Sequence, residues 1–344
     1  MESIYNYSRD RMDAYFLSLG LTKYRSEQLF EALYKHKVKS FQEITNFKKE
    51  LRERIALDFK IDSLEVIKEQ RSIDGTIKYL FALEDGILIE TVLMSHNYGY
   101  SVCITTQAGC NMGCKFCASG LIKKQRNLTP SEMVLQVLEI DNRLQKENKR
   151  VSHIVIMGIG EPFDNYENVL EFIKIVNDPK GLQLGSRHIT VSTCGIVPKI
   201  YEFAEFPLQV NLAISLHFAD NEKRSEYMKI NRAYPIEELM QALDYYYQRT
   251  KRRITFEYIL LKDVNDSLED AEKLVKLIKN KNAYVNLIPY NDTKLFKRST
   301  SEKMRAFFDY LKKNGIEVTL RKEQGHDIDA ACGQLRLKED RCKV

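Results

Sequence analysis

Strand-like apolar segments alternate with helical patterns after residue 100, and this alternation constrains the fold more than any other feature of the sequence. The segments cover residues 100–106, 152–157, 188–192, 209–217, 253–260, 283–288 and 316–321. Repeated strand–helix units favour a parallel sheet with its ligand site at the carboxyl ends of the strands. About six such units are too few to close an eight-stranded barrel. We therefore predict an α/β fold with an open, partial (β/α)6 barrel.

Start signals mark several helices of this barrel. Thr129-Pro130-Ser131-Glu132 combines a capping box with proline at the first helical position. A second helix is predicted to begin at Ser299, because Glu302 follows three residues later. Further helices are predicted over residues 165–176, 235–248 and 268–279.

The first 95 residues follow a different pattern. Residues 10–19, 26–35 and 48–58 have helical character, whereas residues 64–69, 77–83 and 87–94 are strand-like. Asp74-Gly75 and Asp85-Gly86 separate the strands, and Asp-Gly between apolar runs is a strong hairpin signal. We predict an N-terminal helical accessory domain (1–60), a β-meander linker (61–95), a core barrel (96–335) and a charged tail (336–344).

Composition limits the cellular setting and the role of the cysteines. No apolar run is long enough for a membrane span, and the polar N-terminus does not resemble a secretory signal, so we expect a cytoplasmic protein without a membrane partner. The net charge of +5 permits a nucleic-acid partner without requiring one. The seven cysteines are odd in number, and clustered cytosolic cysteines favour metal binding or catalysis over a disulfide framework.

Three of these cysteines follow the first barrel strand in the pattern Cys110-x3-Cys114-x2-Cys117. Thiolates are soft ligands that suit iron–sulfur clusters or zinc. A four-iron cluster held by only three cysteines leaves one iron open, and the amino and carboxylate groups of S-adenosylmethionine (SAM) can chelate that iron. The alternative is a zinc knuckle with Cys103 or His96 as the fourth ligand.

The cysteine spacing, with Phe116 before the last cysteine, resembles the signature of the radical SAM superfamily. That resemblance implies a [4Fe-4S] cluster on Cys110, Cys114 and Cys117. Small or polar residues at the ends of later strands match the cofactor site of that superfamily: Gly160, Glu161, Ser192, Ser215, Leu216, His217 and Asn291. Taken alone, Gly158-Ile159-Gly160 is equally typical of a tight turn, and His217 of a core histidine bonded to backbone.

The chain also resembles the RlmN family of RNA methyltransferases along nearly its whole length. The matching motifs are Ile89-Glu90-Thr91-Val92, Ser101-Val102-Cys103, the cysteine cluster, Gly158-Ile159-Gly160-Glu161-Pro162, Ser215-Leu216-His217 and residues 327–335. The sister family Cfr, which methylates adenine C8, typically has Gly-Glu-Ala in place of Gly160-Glu161-Pro162. The resemblance therefore implies methylation of adenosine C2, in 23S rRNA at the peptidyl-transferase centre and in tRNA next to the anticodon. C8 methylation, or radical chemistry on another substrate, is the alternative.

The family resemblance also implies roles for individual residues. Cys332 would carry a methyl group taken from one of two SAM molecules per turnover, and Cys103 would resolve the RNA adduct through a transient disulfide with Cys332. Glu90 would accept a proton, although pairing with a neighbouring lysine or arginine is the simpler interpretation. An electron donor such as flavodoxin is implied, and we expect a monomer. Basic residues that could grip RNA include Lys123, Lys124, Arg126, Lys294, Lys297 and Arg298. Cys194 and Cys342 receive no role.

Overall fold

Short helices dominate the N-terminal part of the computed structural model, which describes residues 1–291, 296–322, 324–328 and 330. The elements are β1 (Glu2–Ser3), α1 (Arg9–Ser18), α2 (Tyr24–Phe30), α3 (Lys49–Asp58) and β2 (Phe59–Lys60). A π-helical turn, Glu31–Lys35, continues α2. The three predicted helices are confirmed, and β1 pairs with β2 in parallel.

Three antiparallel strands follow, namely β3 (Glu65–Arg71), β4 (Ile77–Ala82) and β5 (Leu88–His96). The two predicted hairpins are confirmed, because Gly75 and Gly86 take φ values of +86° and +84° at the turns. Strand β5 then pairs antiparallel with β6 (Gly99–Cys103). The meander thus continues the core sheet directly.

Eight strands remain in the described residues; the first two pair with each other in a separate antiparallel sheet, and the other six extend the sheet of β3 to β6. They are β7 (Gln107–Ala108), β8 (Arg126–Asn127), β9 (Val151–Ile156), β10 (Ile189–Thr193), β11 (Asn211–Ser215), β12 (Ile254–Leu260), β13 (Ala283–Pro289) and β14 (Glu317–Leu320). The sheet order over the described residues is β14-β13-β12-β11-β10-β9-β6-β5-β4-β3, and every pair from β6 to β14 is parallel. Six parallel pairings without closure confirm the open, partial barrel.

Helices connect the parallel strands along the chain. They are α4 (Pro130–Gln145), α5 (Tyr166–Asn177), α6 (Val197–Ala204), α7 (Asn221–Tyr227), α8 (Ile230–Ala233), α9 (Ile236–Thr250), α10 (Leu268–Ile278) and α11 (Ser301–Lys313). The capping box at Thr129 is confirmed, since its hydroxyl accepts from Glu132 N and the Glu132 carboxylate accepts from Thr129 N. The start predicted at Ser299 is wrong by one residue. Thr300 caps α11, because the Ser299 hydroxyl instead donates to Asp266 Oδ2 at 2.6 Å.

The N-terminal elements pack onto the barrel helices. The hydroxyls of Ser3 and Ser131 are 2.7 Å apart, and Ser131 N donates to Asn6 Oδ1 at 2.9 Å. Ser8 N donates to Glu171 at 2.8 Å. Buried side chains from both parts form one hydrophobic cluster. Among the described residues, no helix is both long and apolar enough to span a membrane.

Candidate active site

The three clustered cysteines lie in the loop between β7 and β8. Cys110 N donates to Ile122 O at 2.9 Å, and Cys117 N donates to Cys114 O at 3.2 Å, so backbone bonds hold the loop in shape. All three thiols line one cavity at the carboxyl ends of the strands. Burial raises the pKa of the Cys110 thiol to about 11 and also raises the pKa of Cys114. A thiolate at either position therefore needs a positive partner such as iron.

The donor set fits an iron–sulfur cluster better than one zinc ion. In the described part of the chain, no three His, Cys, Asp or Glu side chains are grouped tightly enough to hold a single ion. The two candidates for a fourth zinc ligand point elsewhere. Cys103 packs against Val92 and Met94, and His96 stacks on Tyr98 with ring centroids 4.6 Å apart. Three soft thiols on one cavity suit a cluster of several irons, which spans more space than one ion.

Two glycines after β9 form another wall of this cavity. A Cβ atom on Gly158 would lie 2.5 Å from Ile104 O, and one on Gly160 would lie 2.7 Å from Thr106 Oγ1. Gly160 also has a φ of +112°, which L side chains rarely adopt. Both glycines are therefore needed for close packing against the segment after β6. The sequence assigned Gly160 to the cofactor site, and the structure adds this packing requirement for both glycines.

Glu161 ties two strand ends together beside the cavity. Its Oε1 accepts from Phe163 N at 2.9 Å and its Oε2 accepts from Cys194 N at 2.8 Å. Burial raises its pKa, and the two backbone donors oppose that effect. Each carboxylate oxygen has a second lone pair, so Glu161 can still accept from a ligand.

Ser192, Ser215 and His217 lie together on the cavity wall. The two serine hydroxyls are 3.3 Å apart. His217 takes a φ of +58°, and its Nδ1 accepts from Ile259 N at 3.2 Å. Burial lowers the pKa of His217 to about 3, so the imidazole is neutral and keeps its proton on Nε2. His217 is therefore bonded to the backbone, as a core histidine would be, and it also lines the cavity.

Two predicted cofactor residues do not present side chains to this cavity. Leu216 packs in the main hydrophobic core, so it can contribute only through its backbone. Asn291 is buried and does not line the cavity, and its Oδ1 has no hydrogen-bond partner among the described residues. A buried amide oxygen without a partner is costly, and a ligand donor would satisfy it.

Charged residues that the sequence reasoning missed also shape the site. Glu257 and Arg321 line the cavity, and Asn286 Nδ2 donates to Glu257 at 2.8 Å. Arg224 is fully buried and donates to Cys194 O at 2.6 Å and to Leu216 O at 3.3 Å. A signal existed for Glu257, because it is the only charged residue of strand β12 (Ile254–Leu260).

A second group of predicted residues lies beside the cavity, because the strand pairings place Cys103 on the same face of the sheet as Ser192 and Ser215. Cys103 packs with Val92, Met94, Ile159 and Ala330, and Met157 packs against this cluster while also lining the cavity. Cys332 lies outside the described residues. Ala330 precedes it by two positions and brings the chain to Cys103.

Glu90 is paired with a lysine, as the simpler interpretation expected. Its Oε1 lies 3.2 Å from Lys78 Nζ, and both side chains are buried.

Two basic residues that follow the cysteines form ion pairs within the protein. Lys124 Nζ pairs with Asp164 at 2.7 Å. Arg126 pairs with Asp85 and Glu132, each at 2.7 Å. Because their charges are paired within the protein, Lys124 and Arg126 are weaker candidates for contacts with RNA phosphates. Lys294 lies outside the described residues.

Comparison with known proteins decides the family. Residues 104–278 match the Radical SAM superfamily model, and residues 3–61 match the model "Ribosomal RNA large subunit methyltransferase N-terminal domain". A Spiroplasma citri protein named "Probable dual-specificity RNA methyltransferase RlmN" is 53% identical over 340 residues, covering 99% of each chain. The chain belongs to the RlmN family. A Streptococcus suis RlmN of the same name is 54% identical and covers 99% of this chain and 95% of its own length.

A solved structure supports the RlmN assignment. A radical SAM methyltransferase from Sphaerobacter thermophilus superposes with a TM-score of 0.91 at 40% identity, covering 98% of this chain and 99% of that chain. The predicted family, fold class and methyltransferase activity are therefore confirmed. Membership of the RlmN family implies an RNA substrate, and membership of the radical SAM superfamily implies an iron–sulfur cluster and SAM.

Proposed function

We propose that this protein methylates C2 of adenosine, in 23S rRNA at the peptidyl-transferase centre and in tRNA next to the anticodon. One observation carries this proposal. Cys103 packs with Ala330, two residues before Cys332, and Met157 joins that cluster to the cavity lined by the three loop cysteines. Two cysteines beside a radical-generating site are needed for a methylation that passes through a protein–RNA thioether. A radical enzyme for another substrate would not need them.

The cavity divides into a cluster part and a SAM part in this proposal. Cys110, Cys114 and Cys117 would hold a [4Fe-4S] cluster through their three thiolates. The SAM site comprises Gly160, Glu161, Ser192, Ser215, the backbone of Leu216, His217 and Asn291. When bound, the cluster supplies the electron that cleaves SAM and so activates the methyl group.

The chain's own residues handle the methyl group and the proton. Cys332 takes a methyl group from a first SAM by displacement, since a thiolate is a strong nucleophile for that step. A second SAM serves the radical step. Once C2 of the RNA is joined to Cys332 through a methylene carbon, Cys103 removes the proton from C2. The disulfide with Cys332 then forms as the bond between Cys332 Sγ and the methylene carbon breaks, and that carbon takes up a proton to leave as the methyl group of the RNA. The SAM that is cleaved in the radical step is the oxidant for this disulfide. Glu90 acts as a proton acceptor on the same face. The disulfide must be reduced before the next turnover.

The setting of the reaction follows from the same proposal. The protein is a cytoplasmic monomer that receives electrons from a donor such as flavodoxin. Residues 1–60 form an accessory domain, 61–95 a linker, 96–335 the catalytic core and 336–344 a charged tail. A target base must leave its stack to reach a buried face.

The decisive test uses Cys103→Ala with RNA, reductant and SAM under anaerobic conditions. We expect a covalent RNA–protein adduct that stalls, with the RNA attached through Cys332. Cys342→Ala, in the charged tail, is the matched cysteine control and should release methylated RNA normally. Methylated RNA released by Cys103→Ala at the normal rate would refute the role of Cys103.

The position and the RNA class need a separate measurement. Mass spectrometry of nucleosides from rRNA and tRNA of a deletion strain should show loss of 2-methyladenosine from both. Loss of 8-methyladenosine instead would establish the alternative C8 activity.

A further inference from the structure

A buried ion pair lies on the sheet face that carries Cys103. Lys78 Nζ is 3.2 Å from Glu90 Oε1, and the side chains are only 7% and 5% exposed. In the β4–β5 pairing, Leu80 is opposite Glu90 and Lys78 is opposite Val92. Val92 is in turn opposite Cys103 in the β5–β6 pairing. Because directly opposite residues point to the same side of a sheet, Lys78, Glu90 and Cys103 share one face.

The surroundings of this pair are apolar. Leu80, Ala82 and Leu88 form one small cluster on the meander, and Val92 lies in the cluster around Cys103. Buried ion pairs can often be replaced by apolar residues without loss of stability, because taking two charges out of water is expensive. Stability alone therefore does not explain a lysine and a carboxylate at these positions. Buried charges of this kind concentrate at functional sites.

The backbone around Glu90 is held in place from both sides. Thr105 Oγ1 donates to Glu90 O at 2.6 Å, which ties Glu90 to the segment that follows Cys103. Thr91 Oγ1 donates to Gln136 Oε1 at 2.7 Å, and Thr105 N donates to the same oxygen at 2.9 Å. These bonds fix the strand, and Lys78 then restrains the Glu90 side chain.

We propose that Lys78 is a positioning residue that holds Glu90 as a carboxylate on the Cys103 face. The inference rests on the proposed function, in which Glu90 accepts a proton. An opposite charge at 3.2 Å favours the ionised form of a buried carboxyl, whereas burial alone favours the protonated form. Only the ionised form can take up a proton. Lys78 thus prepares Glu90 without touching the RNA.

Other titratable groups face this pair in the described part of the chain. Lys68 on β3 is opposite Leu80, and Cys103 lies across β5. Arg321 reaches this side with its Nη2 3.9 Å from Met94 Sδ. All three groups are retained in a Lys78 variant, so a changed pH profile reports the loss of Lys78.

The test measures single-turnover methylation of RNA against pH, with the cluster-loaded full chain. Lys78→Met is expected to lower the rate at neutral pH by about tenfold to a hundredfold. The acidic limb of the pH–rate profile of Lys78→Met should move to higher pH, and part of the lost rate should return at alkaline pH. Lys78→Arg keeps the charge and should stay within about threefold of wild type with an unshifted profile. In a Glu90→Gln background, Lys78→Met should cause no further loss.

The controls distinguish the positioning role of Lys78 from the proton-accepting role of Glu90, on which it depends. Lys281→Met removes the cation of another pair, with Asp244, and should leave the profile unchanged. If Glu90→Gln methylates normally, the role of Glu90 itself is wrong. If Glu90→Gln is slow but Lys78→Met keeps the wild-type profile, only the role of Lys78 is wrong. The role of Lys78 is also wrong if Lys78→Met loses the same fraction of the methylation rate at every pH. It is equally wrong if the pH–rate profile of Lys78→Arg shifts as far as that of Lys78→Met.

Discussion

Gly158→Ala offers a sharp test of how the cavity wall is built. The new Cβ would lie 2.5 Å from Ile104 O, 2.7 Å from Ile104 C and 2.9 Å from Thr105 N. A carbon and an oxygen without a bond normally stay about 3.3 Å apart or more. The three atoms are backbone, so they cannot rotate away, and the bond from Gly158 N to Ile104 O at 3.0 Å would be strained as well.

The expected magnitude follows from this clash. Overpacking a well-packed site costs about 1–3 kcal/mol, and the upper end applies because only backbone movement can relieve it. For a chain of this size, about 3 kcal/mol corresponds to a fall in Tm of roughly 5 °C. The shift also moves the loop that carries the cysteines, so SAM affinity should fall. Thermal unfolding and SAM titration under anaerobic conditions measure the two effects.

Gly185→Ala is the matched control for the same chemical change. Nothing lies within 4 Å of its Cβ position, and its φ of −55° suits alanine. We expect no loss, or a gain of about 0.4–1 kcal/mol from a less flexible unfolded chain. Gly158→Ala with the wild-type Tm and SAM affinity would contradict the clash argument. An equal loss in Gly185→Ala would show that the measurement reports something other than packing.

Three further predictions concern the cluster, a buried carboxyl and a helix cap. Cys117→Ala should retain less than about a tenth of the iron bound by anaerobic wild type, and retention of full iron would remove Cys117 from the ligand set. Burial raises the pKa of Glu257, so its contribution to stability is present at low pH and is lost as pH rises through that raised value. Urea unfolding of cluster-free Glu257→Gln should therefore show a smaller decline in stability from acidic to neutral pH than wild type, and an unchanged decline would refute this assignment. Thr129→Ala should cost about 1 kcal/mol, because it removes the cap of α4. An unchanged urea midpoint would show that the capping bonds contribute nothing.

Local sequence signals predicted most of the secondary structure because each signal acts over a few residues. The Asp-Gly pairs at Gly75 and Gly86 specify positive-φ turns, and Thr129 with Glu132 specifies a helix start. Ser299 shows the limit of such signals. Two neighbouring hydroxyls could cap α11, and the contact with Asp266, 33 positions away, decided that Thr300 does so.

The sequence by itself determined the repeated strand–helix order, the three-cysteine loop and the motifs by which the family is recognised. Tertiary structure decided how the charged groups are used. Glu161 bridges to Cys194 N, Arg224 donates to strand-end carbonyls, and Lys78 pairs with Glu90 on the face shared with Cys103. These partners depend on strand register and crossover packing, which bring together residues far apart along the chain. A local sequence pattern carries no information about contacts between residues that are far apart along the chain. Only the folded structure therefore shows which charged side chains pair with one another.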